Sequence, residues 1–149
     1  MLILCCGNPD RGDDGAGPLV AKRLAAMEIP VRSCPGEALS LMDAWGGAGD
    51  VLIVDAVYTG APAGTIVLWD ARTAPLTPQW FRCSSHSLGV AEAVGMARKL
   101  DRLPERLRIY GIAGRHFAPG TRACVAVARA AAEVAVRIGR ELEPAEELP

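Results

Sequence analysis

The fold of this chain is constrained most near its start. There the apolar run Leu2-Ile3-Leu4-Cys5-Cys6 gives way to Gly7-Asn8-Pro9-Asp10-Arg11-Gly12-Asp13-Asp14-Gly15-Ala16-Gly17-Pro18. Five consecutive apolar residues without alternation fit a parallel strand covered on both faces, and Gly-Asn-Pro ends it with turn residues. Pro18 suits the first position of a helix, with Val20, Leu24 and Met27 following at i, i+4, i+7 on one face. The stretch therefore predicts a strand-loop-helix crossover. Its loop brings Asp10, Asp13 and Asp14 to the carboxyl end of a strand, the edge of an open α/β sheet where ligands bind.

The loop is glycine-rich but is not a nucleotide loop. Its spacing does not fit GxGxxG, no Gly-Lys-Ser/Thr follows, and three acids repel the phosphate that a helix N-terminus attracts. Carboxylates held there can instead bind a cation. Capping of the helix and turn by Asp13 and Asp14 is an equally good reading of the loop composition.

The chain has 149 residues, which predicts one domain over 1–149 with a substantial core. Sixteen Lys and Arg nearly balance seventeen Asp and Glu, which argues against nucleic acid or an anionic membrane as a partner. The apolar start lacks a basic region before it, so no export signal is expected, and no apolar run approaches a membrane span. Cys5, Cys6, Cys34, Cys83 and Cys124 are odd in number and show no CxxC spacing, which fits a reduced cytoplasmic protein. All five are expected to act as small hydrophobes, with Cys5 and Cys6 on opposite faces of their strand.

Further along, Val31-Arg32-Ser33-Cys34 predicts a short second strand, and Glu37 opens a helix with Leu39, Met42 and Trp45 at helical spacing. Val51-Leu52-Ile53-Val54-Asp55-Ala56-Val57 is the clearest strand, and Asp55 is its only charge. A carboxylate buried there must be hydrogen-bonded, paired, protonated or bound to a cation, so Asp55 is a candidate site residue. Gly64-Thr65-Ile66-Val67-Leu68-Trp69 predicts an antiparallel neighbour, because the connection is too short for a crossover helix. Residues 71–83 form a loop whose Leu76, Trp80 and Phe81 pack over a sheet edge or dock a partner.

Ser84-Ser85-His86-Ser87-Leu88-Gly89-Val90 predicts a serine-capped helix start with Val90, Val94 and Ala97 along one side. His86, close to a helix N-terminus, is held neutral by the dipole and offers a nitrogen to a metal or a proton. Leu107-Arg108-Ile109-Tyr110-Gly111-Ile112-Ala113 reads as the last strand, and its following loop makes Arg115 and His116 secondary candidates. Thr121 is expected to cap a closing helix with the stripe Val127, Ala131, Val134, Ile138 and a Glu133–Arg137 pair. Residues 143–149 read as a flexible acidic tail. The predicted architecture is α/β: a single-domain three-layer sandwich with a mostly parallel twisted sheet of about five strands and helices on both faces.

Three motifs occur in order along the chain. Gly7-Asn8-x-x-x-x-Asp13-Asp14-Gly15-x-Gly17 follows a strand, Asp55-Ala56 ends a hydrophobic strand, and Ser85-His86-x-Leu88-Gly89 opens a helix. Together they resemble the maturation endopeptidases of nickel-iron hydrogenases, over nearly the whole chain. The loop Pro9-Asp10-Arg11-Gly12 departs from the apolar residues common in that family, and the Gly114-Arg115-His116-Phe117 loop has no clear counterpart.

The resemblance implies a cytoplasmic, monomeric protease that removes a C-terminal extension from a hydrogenase large-subunit precursor once nickel has been inserted. It implies no permanently bound cofactor, since the precursor supplies the nickel. By position Asp14 matches the first carboxylate ligand, Asp55 the second and His86 the imidazole ligand. Oxygen and imidazole donors suit a borderline divalent ion, and three ligands leave room for water or a peptide carbonyl. Whether the metal or a carboxylate activates water is left open by the residues, so both aspartyl-type and metal-dependent hydrolysis stand. Absence of HExxH and of a serine–histidine–aspartate order speaks against the common peptidase classes. Two rival readings are a non-catalytic nickel-checking chaperone with the same ligands and a nucleotide-binding doubly wound domain.

Overall fold

The computed structural model describes residues 1–81 and 89–144. Its strands are β1 (Leu2–Cys6), β2 (Arg32–Cys34), β3 (Asp50–Val57), β4 (Ile66–Asp70) and β5 (Arg106–Ala113). The helices are α1 (Ala16–Ala26), α2 (Ala38–Trp45), α3 (Val90–Lys99) and α4 (Val125–Leu142), with 3-10 turns at Gly12–Gly15 and Pro78–Phe81. The strands form one sheet in the order β2-β1-β3-β5-β4. All neighbouring pairs are parallel except β4 with β5.

The continuous apolar run of β3 is explained by cover on both sides. Val51, Ile53 and Val57 enter the core shared with α2 and α3, whereas Leu52, Val54 and Ala56 enter the core shared with α1 and α4. Cys6 and Cys5 divide in the same way, as their adjacency in a strand requires. Each Leu, Ile or Val so buried contributes about 1.5–3 kcal/mol. The stripes Val90, Val94, Ala97 and Val127, Ala131, Val134, Ile138 are buried as expected, and Arg137 Nε donates to Glu133 Oε1 at 3.0 Å. No described helix is long and apolar enough to cross a membrane.

Several local expectations are corrected. The antiparallel strand β4 is not beside β3: β5 inserts between them and β4 takes the sheet edge. Pro18 is the third residue of α1, since the preceding 3-10 turn delivers the chain into a helix beginning at Ala16. The buried face of α1 is Ala16, Val20 and Leu24, and Met27 lies past the helix end, largely exposed. In α2 the buried face is Ala38, Leu41 and Trp45, at i, i+3, i+7, which turns Leu39 to solvent.

The caps differ too. Gly89 is the N-cap of α3, and its N–H donates to Glu92 Oε2 at 2.9 Å, the backward half of a capping box, so no serine is needed there. Cys124, not Thr121, precedes α4, and the Thr121 hydroxyl donates to the Ala118 carbonyl at 2.6 Å. Phe81 is buried and Trp80 stacks on Trp69 of β4 with ring centroids 5.8 Å apart, so this part of the 71–83 loop covers the sheet edge. Of the expected tail, residues 145–149 lie outside the described residues.

Candidate active site

The parallel strands β1, β3 and β5 all end at one edge of the sheet, and the loop after β1 folds back across it. Gly7, at φ +129°, starts the reversal; a Cβ there would collide with the Asp14 carbonyl oxygen. The 3-10 turn that carries Asp14 packs against β3. Asp14 is only 1% exposed, and its Oδ2 accepts the Asn8 N–H at 2.8 Å. Asp55 lies two residues before the end of β3, opposite Gly111 of β5, and is 7% exposed. By strand alternation its side chain takes the α2/α3 face of the sheet.

The two acids act on each other. Burial pushes the Asp55 carboxyl well above the ordinary carboxylate range, and the charge of Asp14 pushes it further; the Ala56 N–H offsets this only in part. A proton or a cation at Asp55 relieves both penalties.

Asp13 has a different part. Its Oδ2 accepts the N–H groups of Arg115 at 2.9 Å and His116 at 3.2 Å, and its Oδ1 accepts that of Cys124 at 2.9 Å. Burial works to raise its pKa, but these backbone donors together hold it below the usual value. Asp13 thus ties the loop after β5 and the start of α4 to the acidic turn. Of the adjacent acids, Asp13 caps backbone N–H groups of two loops, whereas Asp14 accepts the Asn8 N–H and its charge acts on Asp55.

A thiol pair adjoins the carboxylates. Cys6 and Cys34 are partners in the β1–β2 register, and their side chains are hydrogen-bonded. The bond from Cys6 pulls the Cys34 thiol down to about 6, assisted by the Gly36 N–H, while burial opposes it. The same bond, then burial and the charge of Asp55, raise Cys6 well above an ordinary thiol. Sequence reading treated both as plain small hydrophobes; the pair arises only from the strand register.

Of the other candidates, His86 lies outside the described residues. The described start of α3 is at this edge: a Cβ placed on Gly89 would be 3.8 Å from the carbonyl oxygen of Gly36, just past β2. Arg115 and His116 have exposed side chains and contribute through their backbone N–H groups. Glu37 and Asp10 are exposed as well; the Asp10 backbone N–H donates to Asn8 Oδ1 at 2.9 Å and its carbonyl oxygen accepts the Gly120 N–H at 2.6 Å. Among the described residues no group of three metal-donor side chains occurs.

The sequence matches the family model for the HycI hydrogenase maturation protease over residues 36–139. No curated protein matches it. Among solved structures, the endopeptidase HycI from Escherichia coli superimposes with a TM-score of 0.71 at 24% identity, covering 94% of this chain and 90% of that one. HycI from Thermococcus kodakarensis KOD1 gives 0.70 at 23% identity, with 96% and 92% covered. HybD from Thermococcus kodakarensis gives 0.66 at 22%, with 96% and 98% covered. These likenesses establish the same α/β fold. With the family model spanning more than half of its length, the chain belongs to the hydrogenase maturation proteases.

Proposed function

We propose that this peptidase cleaves the C-terminal extension from the nickel-loaded precursor of a nickel-iron hydrogenase large subunit. In this reading it recognises the precursor's nickel through Asp14, Asp55 and His86. The observation that carries the proposal is the pair of buried carboxyl groups, Asp14 and Asp55, at the carboxyl edge of the sheet, with the charge of one acting on the other. Two buried carboxyl groups that repel each other call for a cation, and a nickel ion borne by the substrate supplies it transiently. The protein then needs no resident metal, and the repulsion becomes a test of whether the substrate is loaded.

His86 is the third ligand in this reading. Imidazole and carboxylate donors suit a borderline divalent ion. Nickel bound to both molecules can polarise the scissile carbonyl or acidify a water, while a carboxylate accepts the proton. The free thiols of Cys5, Cys6, Cys34 and Cys124 suit the reducing cytoplasm, where we place the reaction, with the protease acting as a monomer.

The test is intact-mass spectrometry of a purified large-subunit precursor, with and without nickel, incubated with the protein. Loss of a C-terminal peptide only from the nickel-loaded form is the expected result. Equal cleavage of both forms would remove the nickel checkpoint. Nickel-dependent binding without any mass loss would favour a chaperone. Asp55→Asn and His86→Ala are expected to abolish processing while the protein still folds; full processing by both would sink the ligand assignment.

A further inference from the structure

Beside the acidic loop lies a second concave surface that the metal-recognition reading does not use. It is a cleft of about 320 Å3 between the loop, α1 and the segment entering α4. Pro9, Pro18, Leu19 and Ala123 give it apolar walls, and Lys22 and Arg122 stand over it. Its size is at the lower end of that of small-ligand pockets, about 300–1,000 Å3.

Three features distinguish it from an ordinary surface dip. Its lining includes Pro9 and Gly15 of the acidic loop, so it adjoins that loop on the α1 and α4 side of the sheet. Its far wall is fixed, since Asp13 accepts the N–H of Cys124 and so anchors the strand of chain that carries Arg122 and Ala123. Its two cations are uncommitted: neither makes a hydrogen bond or ion pair to another described residue. By contrast, Arg108 reaches Glu141 at 2.6 Å elsewhere on the molecule.

We infer that this cleft holds the C-terminal extension of the precursor as an extended peptide, with an apolar side chain between the proline walls and a carboxylate on Lys22 and Arg122. The inference rests on the endopeptidase reading above. The extension is the C-terminal end of the precursor, so it ends in a carboxylate both before and after cleavage, and hydrolysis gives it a new N-terminal amine. The loop acids Asp10, Asp13 and Asp14 repel that carboxylate, so a path away from the metal-recognition residues needs compensating positive charge. Lys22 and Arg122 supply it beside the loop that carries Asp14. A phosphate ligand is the poorer match, because the same three acids disfavour a multiply charged anion and the walls are apolar.

The experiment compares wild type with Lys22→Glu/Arg122→Glu in two assays. One measures processing of the full precursor. The other measures binding of a fluorescent synthetic peptide with the sequence of the extension, by anisotropy. The double variant is expected to raise KM and the peptide Kd by about tenfold or more with kcat within about twofold, since it removes ground-state binding. Lys22→Arg/Arg122→Lys should restore both, and added salt should weaken wild type more than the charge-reversed variant. A precursor already trimmed of its extension should bind wild type and variant equally. Unchanged KM and Kd in the double variant, or an equal loss of binding for trimmed and full precursor, would overturn the inference. If wild type binds the peptide through these cations but cuts no precursor, the endopeptidase reading fails and the cleft assignment stands.

Discussion

Asp13 Oδ1 accepts the backbone N–H of Cys124 at 2.9 Å, joining the acidic turn after β1 to the residue that begins α4. The same carboxylate takes the N–H groups of Arg115 and His116, so one buried side chain satisfies three donors from two distant loops. Its neighbour Asp14 is thereby held in a turn that is tied down on both sides. The position of Asp14 thus depends on the hydrogen bonds of its neighbour.

The first prediction concerns that tie. Asp13→Ala leaves three part-buried N–H groups without their acceptor, and a fully buried unsatisfied donor costs about 1–3 kcal/mol. Partial access of water to the loops reduces the sum, so a loss of about 2–4 kcal/mol is expected by urea denaturation. The pKa of Asp13 is lowered in the fold, so its stabilisation is present above the unfolded value near 3.9 and disappears as pH falls through the native value. The gap between wild type and Asp13→Ala should accordingly close on acidification. A gap that stays constant down to acid pH would show that ionised Asp13 does not hold the loops.

Asp55 is predicted to behave in the opposite sense. Its native pKa lies above the unfolded value, so the folded state binds the proton more tightly, and stability is lost as pH rises from the unfolded value through the native one. Asp55→Asn removes the titrating group. Thermal melts of the two proteins should converge at acid pH, and the variant should become the more stable as pH rises. A variant less stable than wild type at neutral pH would mean that the carboxylate has a favourable partner in the metal-free protein.

Much of this organisation was legible in the chain, and the reasons for the rest are specific. β3 and α4 announce themselves because burial on both faces leaves an unbroken apolar run in one, and burial on a single face leaves a clean stripe in the other. Asp55 stood out as the single charge in such a run. The edge position of β4 was not legible, because its partner β5 lies far along the chain and a short connection is equally compatible with either neighbour. Asp13 and Asp14 could not be told apart, since adjacent aspartates in one turn differ only in side-chain direction, which the 3-10 geometry decides. The Cys6–Cys34 pair likewise depends on a register between parallel strands that no local pattern encodes.

That thiol pair is open to a chemical test. With the Cys34 pKa pulled down to about 6 by its bond to Cys6, brief iodoacetamide pulses followed by peptide mapping should show labelling of Cys34 rising through that pH. Cys5, pushed up to about 12 by burial, should stay unlabelled in the folded protein. Replacing the donor in Cys6→Ala should move the Cys34 midpoint upward. A wild-type midpoint near the ordinary value of about 8.5 would show that the bond does not hold Cys34 as a thiolate.

The last prediction uses the sign of a stability change to test how α1 meets the sheet. Glycine inside a helix is ordinarily worse than alanine by about 1 kcal/mol, so Gly→Ala there stabilises when space is available. Gly95 of α3 meets this condition, since an added methyl would find no atom within 4 Å, and Gly95→Ala should raise stability by about 0.5–1 kcal/mol. Gly17 does not: its added methyl would strike the carbonyl oxygen of Cys6, and the backbone of β1 cannot rotate away as a side chain could. Gly17→Ala is therefore expected to lower stability by about 1–3 kcal/mol despite its better helix propensity. Because Gly17 follows closely on Asp14 in the chain, the strain should also displace the acidic turn, and processing activity should fall more than in Gly95→Ala. Opposite signs in paired denaturation curves are the expected outcome; a stabilised Gly17→Ala would show that α1 stands further from the end of β1 than this packing requires.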